Sequence, residues 1–423
     1  MALGAKNQRA VLTDGETFRL PISATENMKL AQHLVNLNRS LHSMTGDEHV
    51  AHKGLLFKVL NGLHTAQRRA CIWKGLERVT SNPISTRSGI LRRMRELTSE
   101  ISMQMLFGEN STTSSLSMLL RNYFELRRAI SSLRGSANSG LLESLITTGD
   151  FLDAELRFRI RECRQHSDLL PKGVLDVLSK AEISPGILLT EDEIVGHVNV
   201  VFISSTEPIA VALAWMLLIL TQSPQFQKEL REEVTGMPRS ETPPNISNAA
   251  KMTLLDQLIH ESLRLLSPNA FMTRTTSQRT LLNGAWLPKN AEILLCPLLS
   301  HRDETVFDKP LEFRPTRWRD IAPSPFVYFP FGAGVHSCVG KTFSIDLIKT
   351  ALMFVLQKFS VSLAGNQEID WQIQIMFMPD PDPEVEFTPL SAGVSPVASR
   401  LGGKLGQLIS LSQLNEISSV RVS

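Results

Sequence analysis

Apolar positions along the chain fall into two textures. From Glu48 to about residue 270 they recur three and four apart, the spacing of amphipathic helices, as in Leu55, Leu56, Val59 and Leu60 of a helix predicted over Glu48 to Leu63. Before it, Asn7 to Thr17 reads as a short helix and turn, followed by an irregular stretch to about Thr45. Leu188 to Leu220 reads as one long helix interrupted at Ser204-Ser205-Thr206-Glu207-Pro208. Turn residues at Ser81-Asn82-Pro83, Gly135 to Gly140, Ser184-Pro185-Gly186 and Thr242-Pro243-Pro244 separate the helical patterns. After Pro268 the texture changes to short strand-like pieces, Leu281 to Leu287, Glu292 to Cys296, Ser360 to Leu363 and Glu384 to Phe387. Among them lies one more helical face, Phe343, Leu347, Ile348, Ala351, Leu352, Val355 and Leu356. The pattern predicts a mainly α protein with a minor β region, an α+β chain.

Composition narrows this only a little. With 423 residues, 42% hydrophobic and 20% charged, the chain suffices for one large unit or two small ones. A net charge of +2 without basic clusters argues against a nucleic-acid partner. The longest apolar run, Ile209 to Leu220, falls short of the roughly 20 residues that span a bilayer, so it reads as a buried helix, and no membrane segment is expected. The opening MALGAKNQRAV lacks the apolar core of a secretory signal, and the chain as written reads as soluble and cytoplasmic. Cys71, Cys163, Cys296 and Cys338 show neither zinc-like nor disulfide-like spacing.

One decapeptide, Phe331-Gly332-Ala333-Gly334-Val335-His336-Ser337-Cys338-Val339-Gly340, carries distinctive chemistry. A thiolate ligand needs donors around it, and a glycine-rich loop can aim backbone N–H groups at an anion and pass close to a flat cofactor. Gly332, Gly334 and Gly340 give that freedom, Phe331 would shield the sulfur, and His336 could reach an acidic group of the same ligand. Cys338 stands at the entrance of the next helix, where the dipole favours negative charge.

The loop resembles the haem-binding signature of the cytochrome P450 family, F-G-x-G-x-[RH]-x-C-x-G. Upstream, Glu261-Ser262-Leu263-Arg264 matches the E-x-x-R helix motif, and Phe313-Arg314-Pro315-Thr316-Arg317-Trp318 resembles the segment that adds a second arginine. The resemblance implies a P450-like fold with a long central helix across a haem b group, with Cys338 as the metal ligand. It further implies that Glu261, Arg264 and Arg317 form a structural ion-pair triad. His49, Lys53, Arg274 and His336 are then the contacts to the haem carboxylates, with Phe331, Gly332, Gly334 and Gly340 shaping the cofactor loop. In isolation, His49 and Lys53, four apart on one helix face, would read as a solvated pair; Lys in place of Arg keeps the charge but loses the bidentate fork.

The resemblance runs from residue 1 to about 390, so residues 1–394 are expected to form the haem-thiolate domain and 395–423 a peripheral tail. In the family several dozen residues, with a first helix and the first strands, precede the point where this chain opens. The expectation is an N-terminally short member.

On the oxygen side the family shows [AG]-G-x-[DE]-T. Here Glu207 holds the acid position, Pro208 stands where threonine is expected, and Ser205 replaces glycine. Proline removes a backbone donor from the Ser204 carbonyl and contributes no hydroxyl. Glu207 and Thr206 are the candidate proton-delivery residues; Ser204, Ser205 or an ordered water are alternatives, as is simple back-bonding of these hydroxyls to the helix. The resemblance implies a monooxygenase that inserts one atom of O2 into a largely apolar substrate. The chain has no strand-linked G-x-G-x-x-G segment, so electrons would come from a separate ferredoxin, flavodoxin or reductase. Pro208 leaves a peroxide-using peroxygenase or isomerase as a second reading, and the short N-terminus a haem-binding protein or defective copy without turnover as a third. Phe202, Ile203, Phe271, Met272 and Met376 to Met378 are candidate pocket residues that equally suit a core.

Overall fold

The central helix, Glu191–Leu220, organises the molecule because it is apolar almost all round. It starts at a capping box in which Thr190 accepts from the Glu193 N–H while the Glu193 carboxylate accepts from the Thr190 N–H. In this computed structural model, residues 1–21, 32–62, 69–70, 72–77, 88–108, 115–132, 139–166, 173–235, 253–373, 376–392 and 399–411 are described. The expected turns at Ser81-Asn82-Pro83 and Thr242-Pro243-Pro244, most of the Gly135 to Gly140 turn, and Cys71 lie outside these residues.

Two hydrophobic cores meet along the central helix. Its first half, from Ile194 to Phe202, packs with Leu34, Leu37, Leu56, Leu106, Tyr123, Leu152 and Leu156. Its second half, Ile209 to Leu220, packs with Leu258, Leu263, Phe343, Leu347, Leu352 and Phe377. Every residue from Ile209 to Leu220 is buried, and each large apolar side chain there stabilises by about 1.5–3 kcal/mol. The seam between the cores is the polar segment Ser204 to Glu207. The helix continues through Pro208 instead of breaking, because a proline forfeits one backbone bond while apolar packing holds both flanks. This helix is also the one long and apolar enough to cross a membrane among the described residues, and most of it is buried inside the protein.

The small sheets sit at the periphery. Phe18–Arg19, Met272–Thr276 and Glu292–Leu295 form one antiparallel sheet with Met272–Thr276 in the middle. Phe359–Leu363, Glu384–Pro389 and Ser88–Gly89 form another.

Several expectations need correction. The stretch before Thr45 contains a helix, Gln32–Asn38, whose buried Leu34 and Leu37 contribute to the first core. Leu281 to Leu287 is a hairpin, Thr280–Leu282 with Ala285–Leu287, because Asn283 and Gly284 both take positive φ (50° and 81°) in the tight turn. Leu188 pairs in another hairpin, and the capping box delays the helix to Glu191. The segment after Ser395 is not peripheral over residues 399–411. Leu401–Gly402 pairs with Gln367–Glu368, Leu405 and Ile409 are buried in the second core, and Ser410 exchanges backbone bonds with Leu311 and Phe313. Apolar side chains four apart within a polar segment are enough to dock it, although its own amphipathicity is weak.

Behind the cysteine loop lies a fully buried carboxylate, Glu261, on the helix Leu254–Leu265. It accepts from Arg264 at 2.7 and 2.9 Å, from Arg317 Nε at 3.0 Å, from Trp318 Nε1 at 2.9 Å and from the Arg314 N–H at 2.9 Å. The two guanidiniums then donate to the carbonyls of His301, Asp308, Lys309, Pro310 and Glu312. His301 links this network to the loop: its Nδ1 meets the Arg264 carbonyl at 3.2 Å and its Nε2 accepts from the Phe329 N–H at 3.0 Å. Glu261→Leu is expected to leave two buried guanidiniums without their carboxylate and to cost about 3–5 kcal/mol, read as a lower urea midpoint or loss of soluble protein.

Burial holds the His301 pKa down to about 3. The unfolded chain therefore takes up a proton below pH 6.5 that the folded chain refuses. Stability from this residue is complete above pH 6.5 and declines as the pH falls toward 3, by at most about 1.4 kcal/mol per pH unit. Urea unfolding followed from pH 7 to pH 4.5 should show this slope, and His301→Gln should flatten it by about one proton.

Candidate haem-thiolate site

Cys338 is held by backbone before any side chain contributes. Its N–H donates to the Phe331 carbonyl at 2.9 Å, and the Gly332 N–H donates to Phe329 at 2.9 Å, so the loop closes on itself. Gly332 and Gly334 adopt φ of 67° and 69°, in the left-handed region. At Gly334 there is also no room: a Cβ would lie 2.0 Å from the Leu12 carbonyl oxygen at the end of the helix Ala5–Thr13. The helix Lys341–Lys358 begins three residues after Cys338, as the sequence implies.

The cysteine side chain is accessible, yet protein crowds it enough that desolvation raises its pKa. The Gly340 N–H, Lys53 and Lys341 act in the opposite direction and favour the thiolate. Val339 packs in the same apolar cluster as Phe202 and Ile203 of the central helix, and Phe331 packs against the cluster of that helix's second half. The loop thus borders both of the cores that meet along the central helix.

Basic side chains converge on the loop from three elements. His49 and Lys53 come from the helix Gly46–Gly62, Arg274 from the strand Met272–Thr276, and His336 from the loop itself. His49 Nε2 lies 3.1 Å from His336 Nδ1, and Lys53 donates to Ser337 Oγ at 3.0 Å and to the Val335 carbonyl. Arg274 is buried; burial brings its pKa down to about 10, and it donates to its neighbour Thr273 at 2.8 Å. His336 is lowered to about 4 by burial and then by His49, Arg274, Lys53 and His42.

His42 is the residue that sequence reasoning missed. It is accessible, and desolvation followed by the charge of Arg274 lowers its pKa. No motif signals it, because it sits in irregular chain between two helices. Among the described residues no carboxylate acts on His42, His49, Arg274 or His336, and Lys53 has Cys338 as its negative neighbour. Two cations, Arg274 and Lys53, and three imidazoles able to donate hydrogen bonds line this space, a donor set that would fit the two carboxylates of haem b, as Cys338 would fit its iron.

The oxygen-side residues are arranged less simply. Glu207 is buried, and both its oxygens are engaged by Arg95 of the helix Ile90–Phe107, Nε lying 2.9 and 3.1 Å away. Thr206 Oγ1 donates to the Phe202 carbonyl at 2.7 Å, and Ser205 Oγ to the Val201 carbonyl at 2.7 Å, also lying 2.8 Å from Ser102 Oγ. Both hydroxyls therefore back-bond. Ser204 is exposed on an otherwise buried helix and shares a face with half-buried Val200 and Pro208. Of the pocket candidates, Phe202 and Phe377 are core residues, packed on Phe124 and Trp215 at ring distances of 5.8 and 5.5 Å, while Phe271 is exposed.

An accessible cysteine on a constrained glycine loop thus stands near a group of basic side chains drawn from separate elements. Comparison with known proteins gives the family. The cytochrome P450 family model matches residues 77–387, and the chain belongs to the cytochrome P450 family, whose members bind haem. Cytochrome P450 714B3 of Zea mays is 29% identical over 222 residues, 52% of this chain and 41% of that protein. Mitochondrial sterol 26-hydroxylase of Mus musculus is 31% identical over 209 residues, 47% of this chain and 39% of that protein. The matched stretch thus spans about two fifths of these curated relatives' length. Among solved structures, a retinoic acid-bound cyanobacterial CYP120A1 superposes with a TM-score of 0.77 at 20% identity, covering 91% of this chain and 88% of that one. The haem domain of cytochrome P450DA superposes with a TM-score of 0.75 at 18% identity, covering 90% and 86%, and so shares the fold.

Gly334→Ala is expected to combine positive-φ strain with a backbone collision and cost about 2–4 kcal/mol. Haem retention through gel filtration, read as the ratio of Soret to protein absorbance, should fall well below that of the unaltered protein.

Proposed function

We propose that the chain is a haem-thiolate monooxygenase that inserts one oxygen atom from O2 into a largely apolar substrate. The observation that carries this reading is Cys338, accessible on a glycine loop beside a basic cluster on which no acid acts among the described residues. Haem b bound here supplies a redox-active iron whose thiolate ligand favours O–O cleavage. Cys338 ligates that iron, and the Gly340 N–H, Lys53 and Lys341 favour its charged form. His42, His49, Arg274 and His336 receive the cofactor's carboxylates, with Lys53 shared between them and the loop.

Proton handling falls to the seam of the central helix. Ser204, not Thr206, has the hydroxyl on the open face, and the missing N–H of Pro208 leaves the Ser204 carbonyl able to accept from water. Glu207 lies behind it as an ionised carboxylate in the Arg95 fork; to relay a proton it would leave that fork, take a proton from water and then pass it toward Ser204. Electrons come from a separate ferredoxin, flavodoxin or reductase. The apolar ligands in the names of two similar proteins, a sterol and retinoic acid, favour a substrate of that kind.

Pro208 favours one second reading, direct use of peroxide, since it removes the hydroxyl at the position where the family carries threonine. The ferrous carbonyl spectrum of the haem-loaded protein tests the thiolate, and Cys338→Ser should abolish its characteristic Soret position. Turnover with surrogate redox partners and O2, compared with turnover on peroxide alone, decides between the two oxidants. For the O2 route, Ser204→Ala should lower electron-driven turnover about tenfold or more while leaving peroxide-driven turnover within about threefold; Thr206→Val should leave both nearly unchanged. Pro208→Thr should raise the fraction of electrons recovered in product relative to peroxide.

A further inference from the structure

Away from the cofactor loop, Glu48, His52 and Glu193 bring a carboxylate, an imidazole and a second carboxylate together, each ligand atom within 4.8 Å of the others. Glu48 and His52 are four apart on the helix Gly46–Gly62, and Glu193 lies in the first turn of the central helix. His52 is buried, and its Nδ1 is 2.9 Å from Nε2 of His197, itself fully buried on the central helix. That leaves His52 Nε2 pointing between the carboxylates, 3.5 Å from Glu193 Oε1, longer than a normal N–H···O bond.

The hydrogen-bond geometry around His52 suits a cation. One of the two facing nitrogens, His52 Nδ1 or His197 Nε2, donates to the other. If His52 donates from Nδ1, its Nε2 turns a lone pair toward carboxylate oxygen, the arrangement a bound cation takes up. If His197 donates instead, His52 turns an Nε2–H toward Glu193; His197 Nδ1 is buried with no hydrogen-bond partner in either case. Charge is also unbalanced: Arg39 reaches Glu48 at 3.4 Å and Glu193 at 3.8 Å, one positive charge against two negative. The adjacent acids Glu191 and Asp192 turn instead to Arg157 and Arg161.

We propose that Glu48, His52 and Glu193 bind a divalent transition-metal cation of the zinc type, with His197 as the residue that orients His52. A cation removes the lone-pair conflict, fixes the His52 Nδ1–H tautomer by its bond to His197, and neutralises the excess charge. Ligation through one imidazole nitrogen while the other donates to a neighbour is how metal-bound histidines are generally held, and one nitrogen with two carboxylate oxygens suits Zn²⁺ or Mn²⁺. Glu48 is exposed and free to close the remaining gap. Such an ion would clamp the helix bearing His49 and Lys53 to the start of the central helix, and so tie metal occupancy to the geometry of the cofactor site.

The test is Zn²⁺ alone, titrated into the haem-loaded full chain by competition with a chromophoric chelator, with thermal unfolding in parallel. The expected result is saturable one-to-one binding at micromolar Zn²⁺ with a raised unfolding temperature. Glu48→Gln, a surface change that spares the fold, should weaken binding at least tenfold, and His52→Gln should do the same. Arg39→Gln should strengthen binding by removing the competing cation. Absence of saturable binding below about 100 μM Zn²⁺, binding unaltered by Glu48→Gln, or weaker binding in Arg39→Gln would each overturn the proposal.

Discussion

A single buried carboxylate aims the cofactor loop. Glu261 cannot remain charged in the interior without donors, and it gathers them from its own helix and from the turn at Arg314 to Trp318, while the arginines that pair with it close on a row of carbonyls. Charge and geometry support each other here: removing either guanidinium strands both the carboxylate and several backbone oxygens. From Arg264 the connection runs through His301 to the backbone of Phe329, and from there through the turn at Gly332 to Cys338. The position of Cys338 is thus tied to a hydrogen-bond network that begins at Glu261.

The central helix imposes the second constraint. Its apolar halves each anchor a core, and the seam between them, Ser204 to Glu207, is a run of polar groups, besides His197 and Asn199 in the first half. Polar groups buried there must be satisfied. Ser205 and Thr206 bond back to the helix, Glu207 takes Arg95, and Ser204 alone faces outward. Pro208 fits this scheme, since the helix survives the loss of one bond and the freed carbonyl lies on the same open face.

The basic cluster shows a different use of burial. Arg274, His336, His49, His42 and Lys53 are desolvated together, and among the described residues no carboxylate compensates them. Its residues come from three separate parts of the chain, and the helix that carries His49 and Lys53 also carries Glu48 and His52 on its way to the central helix. The two ends of the site are therefore mechanically joined.

What the sequence determined by itself was whatever local chemistry makes unavoidable. The glycine loop around Cys338, the long apolar helix and the proline within it are short-range patterns, legible from residue types alone. The triad of Glu261, Arg264 and Arg317 was legible only through resemblance to a family, since a charged pair on a helix otherwise reads as exposed, and the structure forms it. His49, Lys53, Arg274 and His336 were legible only through resemblance to a family, since spacing alone would leave a cation on a helix face as a solvated charge. The tertiary structure decided what depends on residues far apart in the chain. It docked the segment at Leu405 and Ile409, brought His42 to the basic cluster, and turned Ser204 rather than Thr206 to the open face. It also gave Glu207 its partner Arg95 and set His52 against His197. In each case the deciding term is desolvation by elements distant in sequence, which no local pattern encodes.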